Sequence, residues 1–174
     1  MKTVIFIAVI LASFQTFAGN PYVGIGYQVG SYEEYDYSKS TPTAAQFYAG
    51  YSFNKWLAFE AHIMRGLEHD YLDRYHYPVT VEVEEAVSLF AKISIPLADS
   101  VNFYGLLGAT RGKLRFSIPN TQFTGTSTDS GFSYGLGFEA TAGNNIGFAA
   151  EYTRLISESD YVYTAITAKI FKRF

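Results

Sequence analysis

One pattern runs through this chain and limits what it can fold into. Apolar side chains alternate with small or polar ones, at period two, in eight separate segments. Val23, Ile25 and Tyr27 alternate with Gly24, Gly26 and Gln28. Phe47, Ala49, Tyr51 and Phe53 alternate with Gln46, Tyr48, Gly50 and Ser52, and Leu57, Phe59, Ala61 and Ile63 with Ala58, Glu60, His62 and Met64. The pattern continues through 88–95, 101–108, 132–139, 148–153 and 166–174. A strand sends successive side chains to opposite faces, so each segment reads as a strand with one apolar face. Each is close to the roughly 9–11 residues that cross a bilayer as a tilted strand. Fifteen Tyr, fifteen Phe and fifteen Gly agree with strands and turns rather than helices.

The connections alternate as well. Asn54-Lys55, Ala98-Asp99-Ser100 and Gly143-Asn144-Asn145 are tight turns made of turn-forming residues. Between them lie longer polar stretches, about residues 32–43, 67–79 and 117–128, with a short one near 157–160. Short turns at one end and long loops at the other predict a single up-and-down barrel rather than a β-sandwich.

Residues 1–18 read as a secretory leader, with Lys2 as its charged start, Val4 to Ala12 as its apolar run and Thr16-Phe17-Ala18 as a cleavage site. The mature chain then starts near Gly19. A membrane anchor is the alternative, but the run falls short of the roughly 20 residues a spanning helix needs. Later apolar runs are short and broken by Gly or charge, so an exported chain that spans a membrane must do so as a closed barrel. The 174 residues suffice for one domain, the absence of Cys excludes disulfides and thiol chemistry, and a net charge of −3 argues against nucleic acid.

The second face decides which side is inside. It carries Glu60, Lys92, Glu139, Glu151 and Lys169 near mid-strand, among Gly, Ser, Ala and Thr. A soluble barrel would turn these to water. A membrane barrel would enclose them, and the small residues then suit an eight-strand interior that side chains just fill. Aromatic placement favours the membrane. Phe53, Trp56, Phe103, Phe148 and Phe174 fall beside the short turns, and Tyr32, Tyr134, Tyr152 and Tyr161 toward the long loops, as two interfacial girdles.

With PYVGIGYQ at 21–28, FYAGYSFNKWLAFEAHI at 47–63, LFAKISIPLADSVNFYGLLGA at 89–109, GLGFEATAGNNIGFAAEYTRL at 135–155 and AITAKIFKRF at the end, the sequence resembles the OmpA/OmpX-like family of eight-stranded outer-membrane barrels. The resemblance covers essentially the whole mature chain. It implies an all-β, closed, eight-stranded antiparallel up-and-down transmembrane barrel over 19–174, in the outer membrane of a Gram-negative bacterium. No periplasmic domain is expected after the barrel, as in the small barrel-only members. Phe174, with Ile170 upstream, looks like the C-terminal signal that the family presents to the barrel assembly machinery. Lys172 departs from that signal, where an aromatic or apolar residue is usual. The family also holds acid–base clusters in the lumen, with Glu60, Lys92 and Glu139 at matching places.

Glu60, His62, Lys92, Glu139, Glu151 and Lys169 share the inward parity. Buried charges need partners, so a lumen network is expected, read as a plug, as the gate of a narrow pore or as a path for protons. Leu106 stands on that parity where an Arg would suit the network, which points to a tight, dry lumen. His62 reads either as a pH-sensitive member or as hydrogen-bonded filler. Family barrels of this size include enzymes that edit lipid A, but His62 is followed by Ile63-Met64-Arg65 and no Ser/His/Asp set can be placed. The chain is therefore expected not to be an enzyme, with no catalytic residue and no cofactor. Glu68, His69, Asp70, Asp73, Arg74 and His76 match no metal-ligand spacing, so no metal site is expected. Glu82, Glu84 and Glu85 extend the fourth strand beyond the membrane, and the run at 32–37 (YEEYDY) reads as an exposed, contact-making loop. Arg65, Arg111, Lys113, Arg115 and Arg154 gather near the outer rim, where they meet lipopolysaccharide phosphates or snorkel at the interface.

The expected role is structural, in envelope integrity or surface contact. The expected partners are outer-membrane lipid and lipopolysaccharide, the barrel assembly machinery and a surface ligand held by the loops, with the barrel itself a monomer. A narrow gated channel for ions or small solutes is the alternative, and a lipid A-modifying enzyme the third reading.

Overall fold

The structure is a computed structural model that describes residues 19–34, 40–68, 70–74, 77–117, 124–157 and 161–174. The leader expected at 1–18, His69, His76 and the tips of the expected loops lie outside the described residues.

Each alternating segment is a strand. In chain order they are β1 (Asn20–Glu34), β2 (Thr43–Ser52), β3 (Leu57–Glu68), β4 (Asp70–Arg74), β5 (Tyr77–Ala98), β6 (Val101–Ser117), β7 (Thr124–Thr141), β8 (Ile146–Ser157) and β9 (Tyr161–Arg173). β3 and β4 are successive pieces of one stave, both antiparallel to β5. Eight staves therefore pair with their sequence neighbours, and β1 pairs antiparallel with β9 from Tyr22↔Arg173 to Glu34↔Tyr161, which closes the barrel.

The short turns are built by their own residues. Asn54 Oδ1 accepts from the Trp56 and Leu57 amides at 2.8 and 2.9 Å. Asn144 and Asn145 take φ of 64° and 58°, a left-handed conformation that Asn tolerates better than most side chains, and so turn β7 into β8. Lys172 extends from β9 to the Asn144 carbonyl oxygen and caps that turn.

Burial follows the alternation and inverts the order of a soluble protein. Leu89, Phe132 and Ile166 are each more than 60 % exposed, whereas Glu60 and Lys169 are 3 % and 5 % exposed. The apolar face thus forms an outer band and the mixed face fills the lumen, the arrangement of a barrel in lipid. Tyr51 is the exception on the outward parity. It is buried, with its hydroxyl accepting from the Gly19 amide at 3.1 Å.

Three sequence expectations need correction. β5, β6 and β7 are 22, 17 and 18 residues long, so much of the expected loops at 67–79 and 117–128 is paired strand. Backbone pairing continues beyond the lipid-facing part, and in β5 the alternation continues with it, Val79, Val81 and Val83 standing between Thr80, Glu82 and Glu84. β1 likewise runs to Glu34, and Tyr32 bridges to Ser40, inside the stretch expected to be a loop. Tyr32, expected in the outer aromatic girdle, is instead 5 % exposed within the lumen cluster. Its parity from Tyr22 onward is inward, and that parity overrides its position near the loop. Tyr134 and Tyr152 do stand exposed on the outside.

Candidate functional site in the lumen and the outer sheet

The lumen is filled in layers. Nearest the short turns, Tyr22, Tyr48, Ala58 and Phe171 form one apolar cluster. Each ring lies over a glycine directly opposite on the next strand: Tyr22 pairs with Gly50, Tyr48 with Gly24 and Phe171 with Gly147, and Tyr104 pairs with Gly137 in the same way. A Cβ built on Gly137 would stand 2.6 Å from the Tyr104 ring, so the ring occupies the place of the missing side chain.

The charged layer comes next, and all six sequence-predicted lumen residues are in it. Lys92 Nζ bridges Glu60 Oε1 at 3.0 Å and Glu139 Oε2 at 2.7 Å. Lys169 Nζ lies 2.6 Å from Glu151 Oε2 and 3.8 Å from Glu60 Oε2. His62 Nε2 meets Glu60 Oε2 at 2.7 Å, and its Nδ1 meets the Gln46 amide nitrogen at 2.6 Å. Both ring nitrogens of His62 thus have a polar partner inside the lumen. Both lysines also lie over aromatic faces, Lys92 4.1 Å from the Tyr104 centroid and Lys169 4.4 Å from that of Tyr48.

Sequence reasoning missed four partners. Arg173 binds Glu139 Oε1 at 2.6 Å, Asn102 donates to the same oxygen at 2.9 Å, Tyr22 donates to Glu60 at 2.6 Å and Tyr104 to Glu151 at 3.1 Å. With Arg173 included, three carboxylates face three cations and the layer balances. Parity had already placed Arg173, Asn102 and Tyr104 inside; their polar atoms were the unused signal.

Toward the long-loop end the lumen becomes apolar again. Phe90, Tyr104 and Leu106 are almost fully buried, and Met64, Ala86, Leu155, Ile156, Tyr163 and Tyr32 join their cluster. Leu106 takes the inward place where an Arg would suit the network, and packs into this apolar layer. A bulge in β8 between Arg154 and Ile156 sets two consecutive side chains, Leu155 and Ile156, inside. A string of hydroxyls holds the wall beside it. Thr110 Oγ1 lies 2.7 Å from both Ser88 and Ser133, and Ser133 also donates to the Leu155 carbonyl oxygen.

The five basic rim residues do not form one cluster. Arg65, Arg111, Lys113 and Arg115 take the outward parity of β3 and β6, on either side of β5. Lys113 and Arg115 are already engaged by Glu84, at 2.9 and 3.3 Å. Glu84 sits at a register shift in β5, before the lipid-facing run from Val87, so it stands outside the membrane. The hydrogen bond from Lys113, joined by the charge of Arg115, holds the Glu84 carboxyl below the usual carboxylate range. Arg65 and Arg111 are exposed, with no partner among the described residues. Arg154 stands apart on β8, donating to the Tyr134 hydroxyl at 3.3 Å. At the other end Phe174 is exposed, its amide bonded to the Pro21 carbonyl at 3.0 Å, and Ile170 faces outward. Glu68, Asp70, Asp73 and Arg74 fall on strands β3 and β4 rather than in a loop, and Glu82 lies on β5, in the strand extension expected for it.

A closed antiparallel barrel with an apolar exterior and a neutralised charge layer inside is a transmembrane barrel of the outer-membrane class. The chain belongs to the family described as outer membrane protein beta-barrel domain, whose model matches residues 4–174. It is accordingly a protein of the bacterial outer membrane. No match was found among curated protein sequences. Among solved structures it is similar to Ail, the attachment invasion locus protein of Yersinia pestis, at 20 % identity and a TM-score of 0.66, over 90 % of this chain and 99 % of that one. It is also similar to Neisserial surface protein A, at 15 % identity and 0.60, over 88 % and 97 % of the two chains. A third similar structure is OprG of Pseudomonas aeruginosa, at 11 % identity and 0.55, over 91 % and 96 %.

Proposed function

We propose that this barrel serves surface contact: its body is a filled structural plug and its working part is the sheet carried outside. The observation that carries this reading is the length of β5, β6 and β7. At 22, 17 and 18 residues they exceed the roughly 9–11 needed to cross lipid, and they stay paired as they do so. The layered lumen supports a closed body over a gated channel. It also supports a non-enzymatic reading, since both ring nitrogens of His62 are taken by Glu60 and Gln46.

The ligand chemistry assigned to the outer face is a polyanion, phosphate or sulfate, bound first by Arg65 and Arg111. Ail has been seen in complex with the heparin analogue sucrose octasulfate, which supports the assignment. Lipopolysaccharide phosphate and a sulfated glycan share that chemistry. The barrel acts as a monomer, is exported with removal of residues 1–18, and shows Phe174 and Ile170 to the assembly machinery. Titration of the chain in phospholipid nanodiscs with sucrose octasulfate, and separately with lipopolysaccharide vesicles, tests the ligand and separates its sources. Arg65→Ala with Arg111→Ala should weaken binding about tenfold or more, as expected for two charge-assisted contacts. Affinity unchanged in both titrations would contradict the assignment.

A further inference from the structure

The basic residues of the outer face are not all free to meet a ligand. Arg65 on β3 and Arg111 on β6 are exposed and have no partner among the described residues. Lys113 and Arg115, on the same face of β6, already hold a carboxylate, that of Glu84. Parity alone would not put Glu84 there. The even-numbered residues that follow it on β5, Ala86, Ser88, Phe90 and Lys92, are buried in the lumen. The register shift between Val83 and Glu85 leaves Glu84 without an opposite residue on β6. A bulge re-aims the side chain at such a position. Here it brings Glu84 to the outside, one residue from Glu85, which stands directly opposite Lys113.

The carboxylate is well placed but poorly satisfied. Glu84 Oε1 accepts from Lys113 Nζ at 2.9 Å. Glu84 Oε2 lies 3.3 Å from Arg115 Nη2, yet it is shielded from water and makes no hydrogen bond among the described residues. Half of the group has therefore given up water for an ion contact without hydrogen-bond alignment, which is unfavourable for a carboxylate oxygen. A phosphate or sulfate ester offers three oxygens to the same two bases, and two of them can bind the Arg115 guanidinium side by side. Glu84 thus marks a place where an anionic group fits, and fills it less well than such an ester would.

We propose, resting on the polyanion reading above, that Lys113 and Arg115 form a second anion subsite in which Glu84 is a built-in stand-in for the ligand. A ligand meets Arg65 and Arg111 first. It gains the other two bases only by displacing Glu84. Arg111 and Lys113 are alternate residues on one face of β6, about 7 Å apart along the strand. The ligand must therefore carry phosphate or sulfate groups clustered at about that spacing. A carboxylate gains little at the second subsite. It replaces like with like, and Glu84 competes at the high effective concentration of a tethered group. The site so built selects clustered phosphate or sulfate esters over isolated anions and over carboxylates.

The test uses the full chain in phospholipid nanodiscs, titrated with sucrose octasulfate and with benzenehexacarboxylate, a small ring that carries only carboxylates. Glu84→Gln removes the stand-in and should raise affinity for sucrose octasulfate about tenfold, the size of two exposed ion pairs. A chain that failed to fold could not give such a gain. Glu85→Gln removes the same charge one residue away and should give no more than about twofold, because water and salt screen a charge that makes no contact. Glu84→Asp keeps the charge but draws it back from Lys113, and should gain about threefold, as for one weakened ion pair. The gain of Glu84→Gln should vanish when Lys113→Ala and Arg115→Ala are added. Benzenehexacarboxylate should bind the wild type about tenfold or more weakly than sucrose octasulfate. A Glu84→Gln gain no larger than that of Glu85→Gln, a gain that survives loss of Lys113 and Arg115, no response to Glu84→Asp, or equal affinity for the two ligands would overturn the subsite and leave the polyanion reading standing. Sucrose octasulfate bound by neither the wild type nor Glu84→Gln would overturn both.

Discussion

At the residue scale the lumen is governed by desolvation. Glu60, Glu139 and Glu151 are each 3–4 % exposed and tolerable only because Lys92, Lys169 and Arg173 stand within ion-pair distance. Lys92 is the hinge of this layer, shared by Glu60 and Glu139. Lys92→Ala should destabilise the barrel by about 3–5 kcal/mol, because it strands buried carboxylates. Thr128→Ala on the outer sheet should change stability by less than about 0.5 kcal/mol. Urea unfolding in lipid vesicles measures both. Equal midpoints would mean that water, not Lys92, satisfies the acids. Much of this layer was legible, since parity alone gathers Glu60, His62, Lys92, Glu139, Glu151 and Lys169 on one face. Which acid meets which base was not, because that depends on register and stagger around the barrel. Tyr22 and Tyr104 were hidden for another reason: an inward Tyr reads as filler until its hydroxyl is seen to bond.

At the element scale the strands divide into a lipid part and a water part. The Val87–Leu97 stretch of β5 alternates because lipid and lumen demand different side chains. The stretch before it alternates too, with Val79, Val81 and Val83 between Thr80, Glu82 and Glu84, so that part of the strand was legible. The polar runs up to residue 79 and at 117–128 were read as loops by composition, which made the outer parts of β5, β6 and β7 too short. The bulge in β8 was also unreadable, since Leu155-Ile156 looks like an ordinary apolar pair. Its anchor is specific: Ser133 on β7 donates to the carbonyl oxygen of Leu155. Ser133→Ala leaves that buried carbonyl short of a donor and should cost about 1–3 kcal/mol. Amide exchange at 154–156 should rise in the same variant. Unchanged exchange there would show that packing of Ile156, not the hydroxyl string, fixes the bulge.

At the scale of the whole molecule, closure and filling are two separate results. Closure was legible: eight alternating segments of similar length, short turns at one end only, and first and last segments both amphipathic. Filling was half legible. Leu106 stands in place of a basic residue, and Phe90, Met64, Leu155 and Ile156 join it in an apolar cluster above the charges. The lumen thus holds paired ions at mid-depth and apolar side chains toward the outside, and the proposed function places its work on the outer sheet. Single-channel recording of the refolded chain in a planar bilayer tests that claim most directly. The account predicts no discrete openings from a chain shown to be folded, and none from Lys92→Ala while the apolar layer stands. Discrete openings in the wild type, altered by Lys92→Ala, would contradict it and make the charge layer a gate.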